Sequence, residues 1–198
     1  MDSKGIAVFI SGRGSNMNAL IERSKAGDLV PKINMVYSNR SDAAGLTMSK
    51  NEGIPAFSFP FKVKNRGRLL GLLSDHGVEL IALAGFMRII PPSFVKDFSH
   101  PVLNIHPSLL PSFKGLDAQK QAFKAGVKMS GATVHFVDES LDGGEIIMQE
   151  CIDISMHQNV EAVADAILEI EHKLYYKAVN AVWNKTYSIA ERRIILED

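Results

Sequence analysis

Short apolar runs recur along the chain at wide intervals, each ending in glycine, proline or polar residues, with amphipathic stretches between them. Residues 6–10 form an unbroken apolar run, the pattern of a central strand buried on both faces. The run ends in Ser11, Gly12, Arg13, Gly14, Ser15 and Asn16. Met17, Leu20 and Ile21 follow at helical spacing, which predicts a helix starting just after the glycines and capped by Ser15 or Asn16. A second strand is predicted at residues 33–37, a helix at 43–51 ended by Gly53, and an extended segment at 54–59. A helix at 69–76 closes at Gly77. The strand 79–84 then runs into Gly85, Phe86, Met87, Arg88, Ile89 and Ile90, followed by Pro91 and Pro92.

Residues 102–106 alternate so that Asn104 and His106 share one side of an extended backbone. Pro107 and Pro111 disfavour helix for the residues before them, so an ordered turn follows. A helix is predicted at 116–124, ended by Gly126, and a strand at 129–137 containing Thr133 and His135. After the turn-rich stretch 138–144 comes a strand at 145–154, an antiparallel neighbour of the preceding one because the connection is so short. A long helix at 159–183 carries Val160, Val163, Ile167, Ile170, Leu174 and Val182 on one side, ready to close one face of a sheet. Strands alternating with helices predict an α/β fold, a mostly parallel sheet with an antiparallel extension. In such sheets the strand carboxyl ends collect the loops, and the site is expected there.

Composition narrows the classes. At 198 residues the chain suits one domain, 1–198, with a full core. Lysine plus arginine and aspartate plus glutamate number 22 each, so no overall field draws nucleic acid or an anionic membrane. No run approaches the ~20 apolar residues of a membrane span, and no signal-peptide layout opens the chain, so a cytoplasmic location is expected. The one cysteine, Cys151, excludes an intrachain disulfide framework and is expected as a small buried hydrophobe in its strand. Six histidines lie scattered without clustered spacing, so no metal is expected. Lys62, Lys64, Arg66 and Arg68 read as a solvated basic face, with Arg66 the one member singled out.

Three stretches carry candidate chemistry. A strand, a glycine turn and a helix start form a phosphate-binding layout, because outward N–H groups meet the positive end of the helix dipole. Met17 stands where a dinucleotide fingerprint needs a third glycine, and no acidic residue closes the second strand, so a single phosphate is favoured. Asn104 and His106 offer an amide donor and a titratable imidazole, suited to a carbonyl oxygen that gains charge while protons move. An equally open reading has both side chains bonding the backbone of the next loop. The stretch 85–90, apolar with one arginine, suits a pocket for a flat, partly apolar ligand or ordinary core.

Residues 10–16, 83–88, 104–111 and 134–144 together resemble the successive motifs of the phosphoribosylglycinamide formyltransferases, the purine-synthesis family that uses 10-formyltetrahydrofolate. The likeness spans nearly the whole chain in order. The Asn-x-His-Pro-Ser motif with a downstream Asp-Gly is shared by the wider formyltransferase family, while the Gly-Ser-Asn turn and Glu171-His172 point to this branch. The resemblance implies a Rossmann-like three-layer α/β/α formyltransferase fold, with a phosphate-binding half of about 1–100 and a folate-binding and catalytic half of about 101–198. It implies 10-formyltetrahydrofolate as co-substrate and 5-phosphoribosylglycinamide as acceptor, in a monomer or homodimer. It assigns Asn104 to the formyl oxygen, His106 to general acid/base catalysis, and Asp142 to a partner that raises the imidazole pKa. Gly14, Ser15 and Asn16 fall at the substrate phosphate and Glu171 near the substrate amine. Arg66, Met87, Arg88, Ile89, Ile90 and Asn104 fall to the folate. The resemblance also implies a cis Leu110–Pro111 bond, and it leaves Asp117 without a role.

Two relatives of that family compete with this reading, the methionyl-tRNA formyltransferases and the formyltetrahydrofolate hydrolases. Both generally carry an additional domain, and the tRNA enzyme is expected to show a basic surface. A nucleotide-binding module without catalysis would leave Asn104, His106 and Asp142 unexplained.

Overall fold

In the computed structural model, which describes residues 4–197, the chain divides into two compact units, the first ending at Leu103 and the second starting at Asn104. The first unit opens with β1 (Gly5–Ile10), buried along its whole length, and α1 (Ser15–Lys25). β2 (Lys32–Ser38), α2 (Ala44–Asn51), β3 (Ala56–Ser58), a 3₁₀ turn at Val63–Asn65, α3 (Arg66–Asp75), β4 (Val78–Leu83) and α4 (Pro92–Phe98) complete its elements. β1 pairs in parallel with both β2 and β4, and β2 with β3. Side chains on both faces of β1 are buried, which is why its run is apolar at every position. Phe9 packs at 4.9 Å from Tyr37 and 5.5 Å from Phe86, the centre of an aromatic core that continues through Phe59, Phe61 and Phe94.

β5 (Val102–His106) leads into the second unit, followed by α5 (Ala118–Ala125), β6 (Met129–Phe136), β7 (Ile146–Asp153), α6 (Val160–Asn184), β8 (Tyr187–Ala190) and β9 (Arg193–Leu196). β6 and β7 pair antiparallel, as the short connection predicts. α6 packs on β6, β7 and α5, burying Val163, Ile167, Ile170, Leu174 and Val182 together with Glu171 and Tyr175. Val160 is only half-buried. The seven-stranded sheet has the order β3-β2-β1-β4-β5-β6-β7, and β8 and β9 form a separate antiparallel hairpin. The Leu110–Pro111 bond is cis.

Several local expectations are corrected. The cap of α1 is Gly14, left-handed at φ 78°, and no side chain caps the helix; neither Ser15 nor Asn16 does. α4 and the hairpin β8–β9 come in addition to the expected elements: Pro92 stands at the first helical position of α4, where an N–H would have no partner. α3 begins at Arg66 rather than at Leu69. Cys151 is exposed, not buried, on β7, the strand that ends the sheet order.

Candidate active site

Polar residues at every second position of two buried strands build the centre of the second unit. Asn104 and His106 share a face of β5, and Thr133 and His135 share a face of β6. Thr133 holds the turn after β5 in place: its hydroxyl donates to the Ser108 carbonyl at 2.7 Å and accepts from the Leu110 N–H at 3.1 Å. Gln149 of β7 donates to both the Leu110 carbonyl and Thr133 Oγ1 at 2.9 Å. Ser108, fully buried, donates to the Ser112 carbonyl at 2.5 Å. These bonds satisfy the polar groups that a buried turn would otherwise leave unpaired, so the turn is ordered as the prolines predict.

His106 is 4% exposed. Its Nε2 donates to the Phe113 carbonyl at 2.8 Å, and its Nδ1 lies 3.5 Å from Asp142 Oδ2. Both ring nitrogens therefore face acceptors. The same Asp142 oxygen accepts the Gly115 N–H at 2.8 Å, and its other oxygen lies 3.8 Å from His135 Nε2. Asp142 sits in the left-handed region at φ 45°, a strained setting for a non-glycine residue and one that clusters at functional positions. Asn104 Nδ2 is 3.2 Å from His135 Nε2. Burial pushes the pKa of His135 down, against the opposing pull of the Phe136 carbonyl and the Asp142 carboxylate.

Asn104, His106 and Asp142 are thus brought together, and His135 joins them as a residue to which the sequence reading gave no role. Its signal lay in the pattern: a second pair of polar residues, Thr133 and His135, at period two in an otherwise apolar strand. Glu171 is on α6, 5% exposed; burial of Tyr175, with the charge of Glu171 beside it, raises the pKa of that phenol well above its ordinary value.

In the first unit the glycine turn stands at the carboxyl end of β1. With Gly14 as cap and no capping side chain, α1 brings the positive end of its dipole to the turn. Gly45 makes the turn's shape possible, since a Cβ there would lie 2.5 Å from Ile10 Cδ1 and 3.4 Å from the Arg13 carbonyl oxygen. Ser11, likewise unassigned from sequence, ties three strand ends together. Its hydroxyl donates to Asn39 Oδ1 at 2.5 Å and accepts from the Met87 N–H at 2.8 Å, and its own N–H bonds the Gly85 carbonyl.

A cavity of about 720 Å³ also lies in the first unit, walled by Tyr37, Phe59, Phe61 and Phe94 and rimmed by Lys62, Arg66, Met87, Arg88 and Ile89. Arg66 is held by α4, donating to Ser93 Oγ at 3.1 Å and the Ser93 carbonyl at 2.8 Å and pairing with Asp97. Ile90 is buried and does not line the cavity. Among the described residues no group of three or more His, Cys, Asp and Glu side chains is arranged to hold a metal ion, and no helix is long and apolar enough to cross a membrane.

Residues 4–179 match the family model described as formyl transferase. The chain is 41% identical over 177 residues to the phosphoribosylglycinamide formyltransferase of Bacillus subtilis (strain 168), covering 87% of this chain and 91% of that one. It is 39% identical over 191 residues to the trifunctional purine biosynthetic protein adenosine-3 of Homo sapiens, covering 94% of this chain but only 19% of that protein's length. The crystal structure of glycinamide ribonucleotide transformylase 1 from Symbiobacterium toebii superposes with a TM-score of 0.93 at 36% identity, over 98% of this chain and 94% of that one. The shared fold is a mostly parallel seven-stranded sheet with helices on both sides and an antiparallel extension. Motif order, fold and identity over nearly full length agree: the chain belongs to the formyl transferase family, among the phosphoribosylglycinamide formyltransferases.

Proposed function

We propose that the chain transfers the formyl group of 10-formyltetrahydrofolate to the amine of 5-phosphoribosylglycinamide, giving the formylated ribonucleotide and tetrahydrofolate in the cytoplasmic synthesis of purines. The observation that carries the reading is the grouping of Asn104, His106 and Asp142, with His106 Nδ1 3.5 Å from the carboxylate. Attack of the amine on the formyl carbon turns the carbonyl oxygen into an oxyanion, and collapse of that intermediate expels the folate nitrogen. Asn104 donates to the oxyanion, a contribution for which one donor is commonly worth ~3–4 kcal/mol of barrier. His106 takes the proton that the amine loses and returns one to the leaving nitrogen, and Asp142 supplies the counter-charge for its imidazolium. Proton transfer by a positioned group adds ~10²–10⁴-fold. No covalent intermediate on the protein is needed, because holding two substrates in register supplies most of the remaining rate.

The positive end of the α1 dipole at Gly14, Ser15 and Asn16 supports binding of the ribonucleotide phosphate. Buried Glu171 is assigned to the substrate amine. The apolar cavity rimmed by Arg66, Met87, Arg88 and Ile89 supports binding of a flat, partly aromatic donor whose acidic tail meets the arginines. Ile90 then serves by packing beneath that rim.

The test is absorbance-monitored consumption of 10-formyltetrahydrofolate with and without the ribonucleotide. Release that depends on the ribonucleotide is expected. Release without it marks a hydrolase, and no release from folded protein in either case overturns the reading.

A further inference from the structure

His135 touches two members of the reacting group without a part in the transfer just described. A carbonyl oxygen only accepts, so the 2.7 Å contact between His135 Nδ1 and the Phe136 oxygen puts a proton on Nδ1. In a neutral ring, Nε2 is then a bare lone pair, and its neighbour at 3.2 Å is Asn104 Nδ2, which donates to it. The reversed amide would set Asn104 Oδ1 against that lone pair, beside a carboxylate oxygen that is itself 3.8 Å from Nε2. We infer that His135, as a neutral Nδ1–H tautomer, is a positioning residue that holds the Asn104 amide with its NH₂ turned toward the ring's Nε2, leaving the second N–H for the formyl oxygen.

The inference rests on the reading of Asn104 as donor to that oxygen. Protonation of His135 inverts the arrangement: Nε2 becomes a donor, its best acceptors are Asn104 Oδ1 and Asp142, and the amide turns over. The titratable groups facing the ring are Asp142 and Asp138 from the 138–144 loop and His106 from β5. Burial keeps the ring neutral at neutral pH against the pull of those carboxylates. The amide switch therefore belongs to the acid limb of the pH profile, below the ordinary imidazole range.

The decisive experiment joins the tautomer of the unmutated enzyme to a mutant cycle. Long-range ¹H–¹⁵N spectra at pH 7.5 should show His135 as the neutral Nδ1–H form; an Nε2–H tautomer or an imidazolium overturns the inference without any variant having to fold. His135→Leu should lower kcat by about 100-fold with KM for both substrates within about threefold, the size of one lost oxyanion donor. His135→Gln, which can present an accepting oxygen, should recover kcat to within about tenfold and lose an inflection on the acid limb. In Asn104→Ala, which costs the donor outright, adding His135→Leu should cost nothing further, since the two act as a unit. Multiplicative losses, or normal kcat in His135→Leu beside a crippled Asn104→Ala, overturn the positioning role alone. Full turnover in Asn104→Ala overturns the oxyanion reading itself, and the positioning role with it.

Discussion

Asp142 faces three groups at once in the second unit. One oxygen accepts from the Gly115 N–H while facing His106, and the other faces His135. Asp142→Asn keeps the size and can keep the Gly115 bond, but removes the charge that an imidazolium at position 106 needs. We expect turnover to fall by ~10²–10⁴-fold, the range of general acid–base catalysis, while circular dichroism and the unfolding midpoint stay near those of the parent. Unchanged turnover would remove Asp142 from the mechanism. Asn104 and His106 stood out by residue type and spacing, and Asp142 only through the motif that resembles the formyltransferases. What connects them was not legible: the Phe113 carbonyl and the Gly115 N–H are backbone groups that no side-chain pattern marks, and His135, though within the stretch 134–144, meets Asn104 and Asp142 only in the folded chain.

Elements set these residues in place, and the loop between β6 and β7 shows how tightly. A Cβ on Gly144 would come 1.9 Å from the Phe136 carbonyl oxygen, the same oxygen that holds His135. Arg192, at the tip of the β8–β9 hairpin, donates to the Gly143 carbonyl and fastens the loop from its other side. Gly144→Ala must push backbone from backbone, at a cost of about 1–3 kcal/mol in stability. Because a 1 Å displacement of a reacting group costs about 10²-fold, kcat should drop by a similar factor. Steady-state kinetics beside thermal unfolding check both numbers, and a variant with parental kcat would show that the loop has slack. The central strands and the long helix were readable because their periods run on for many residues. β8 and β9, at four residues each, are shorter than the window in which alternation is decisive, and the exposure of Cys151 on β7, the strand that ends the sheet order, is decided only in the folded chain.

Across the whole chain, buried titratable groups should confine stability to a band of pH. Below it, His135 and His172 act together: burial lowers both pKa values from an ordinary 6.5, so the unfolded chain binds protons more readily than the folded one. Their effect is absent above pH 6.5 and destabilises progressively as pH falls through the lowered values. At the alkaline end the sign reverses. Tyr37 is fully buried, donates to the Phe59 carbonyl at 2.8 Å, and has its pKa pushed from 10.0 to about 12 by burial. The unfolded phenol ionises first, so its stabilisation is complete below pH 10 and lost as pH rises toward 12, a change on the order of 3 kcal/mol. Tyr175, raised further by burial and by Glu171, extends the same trend. Tyr37→Phe should therefore lower the unfolding midpoint at pH 8, because the Phe59 carbonyl loses its donor at about 1–3 kcal/mol. It should nevertheless lose less stability than the parent between pH 9.5 and 11.5. Unfolding midpoints measured for both proteins over that interval decide the matter, since equal losses would mean that the phenol does not titrate with folding.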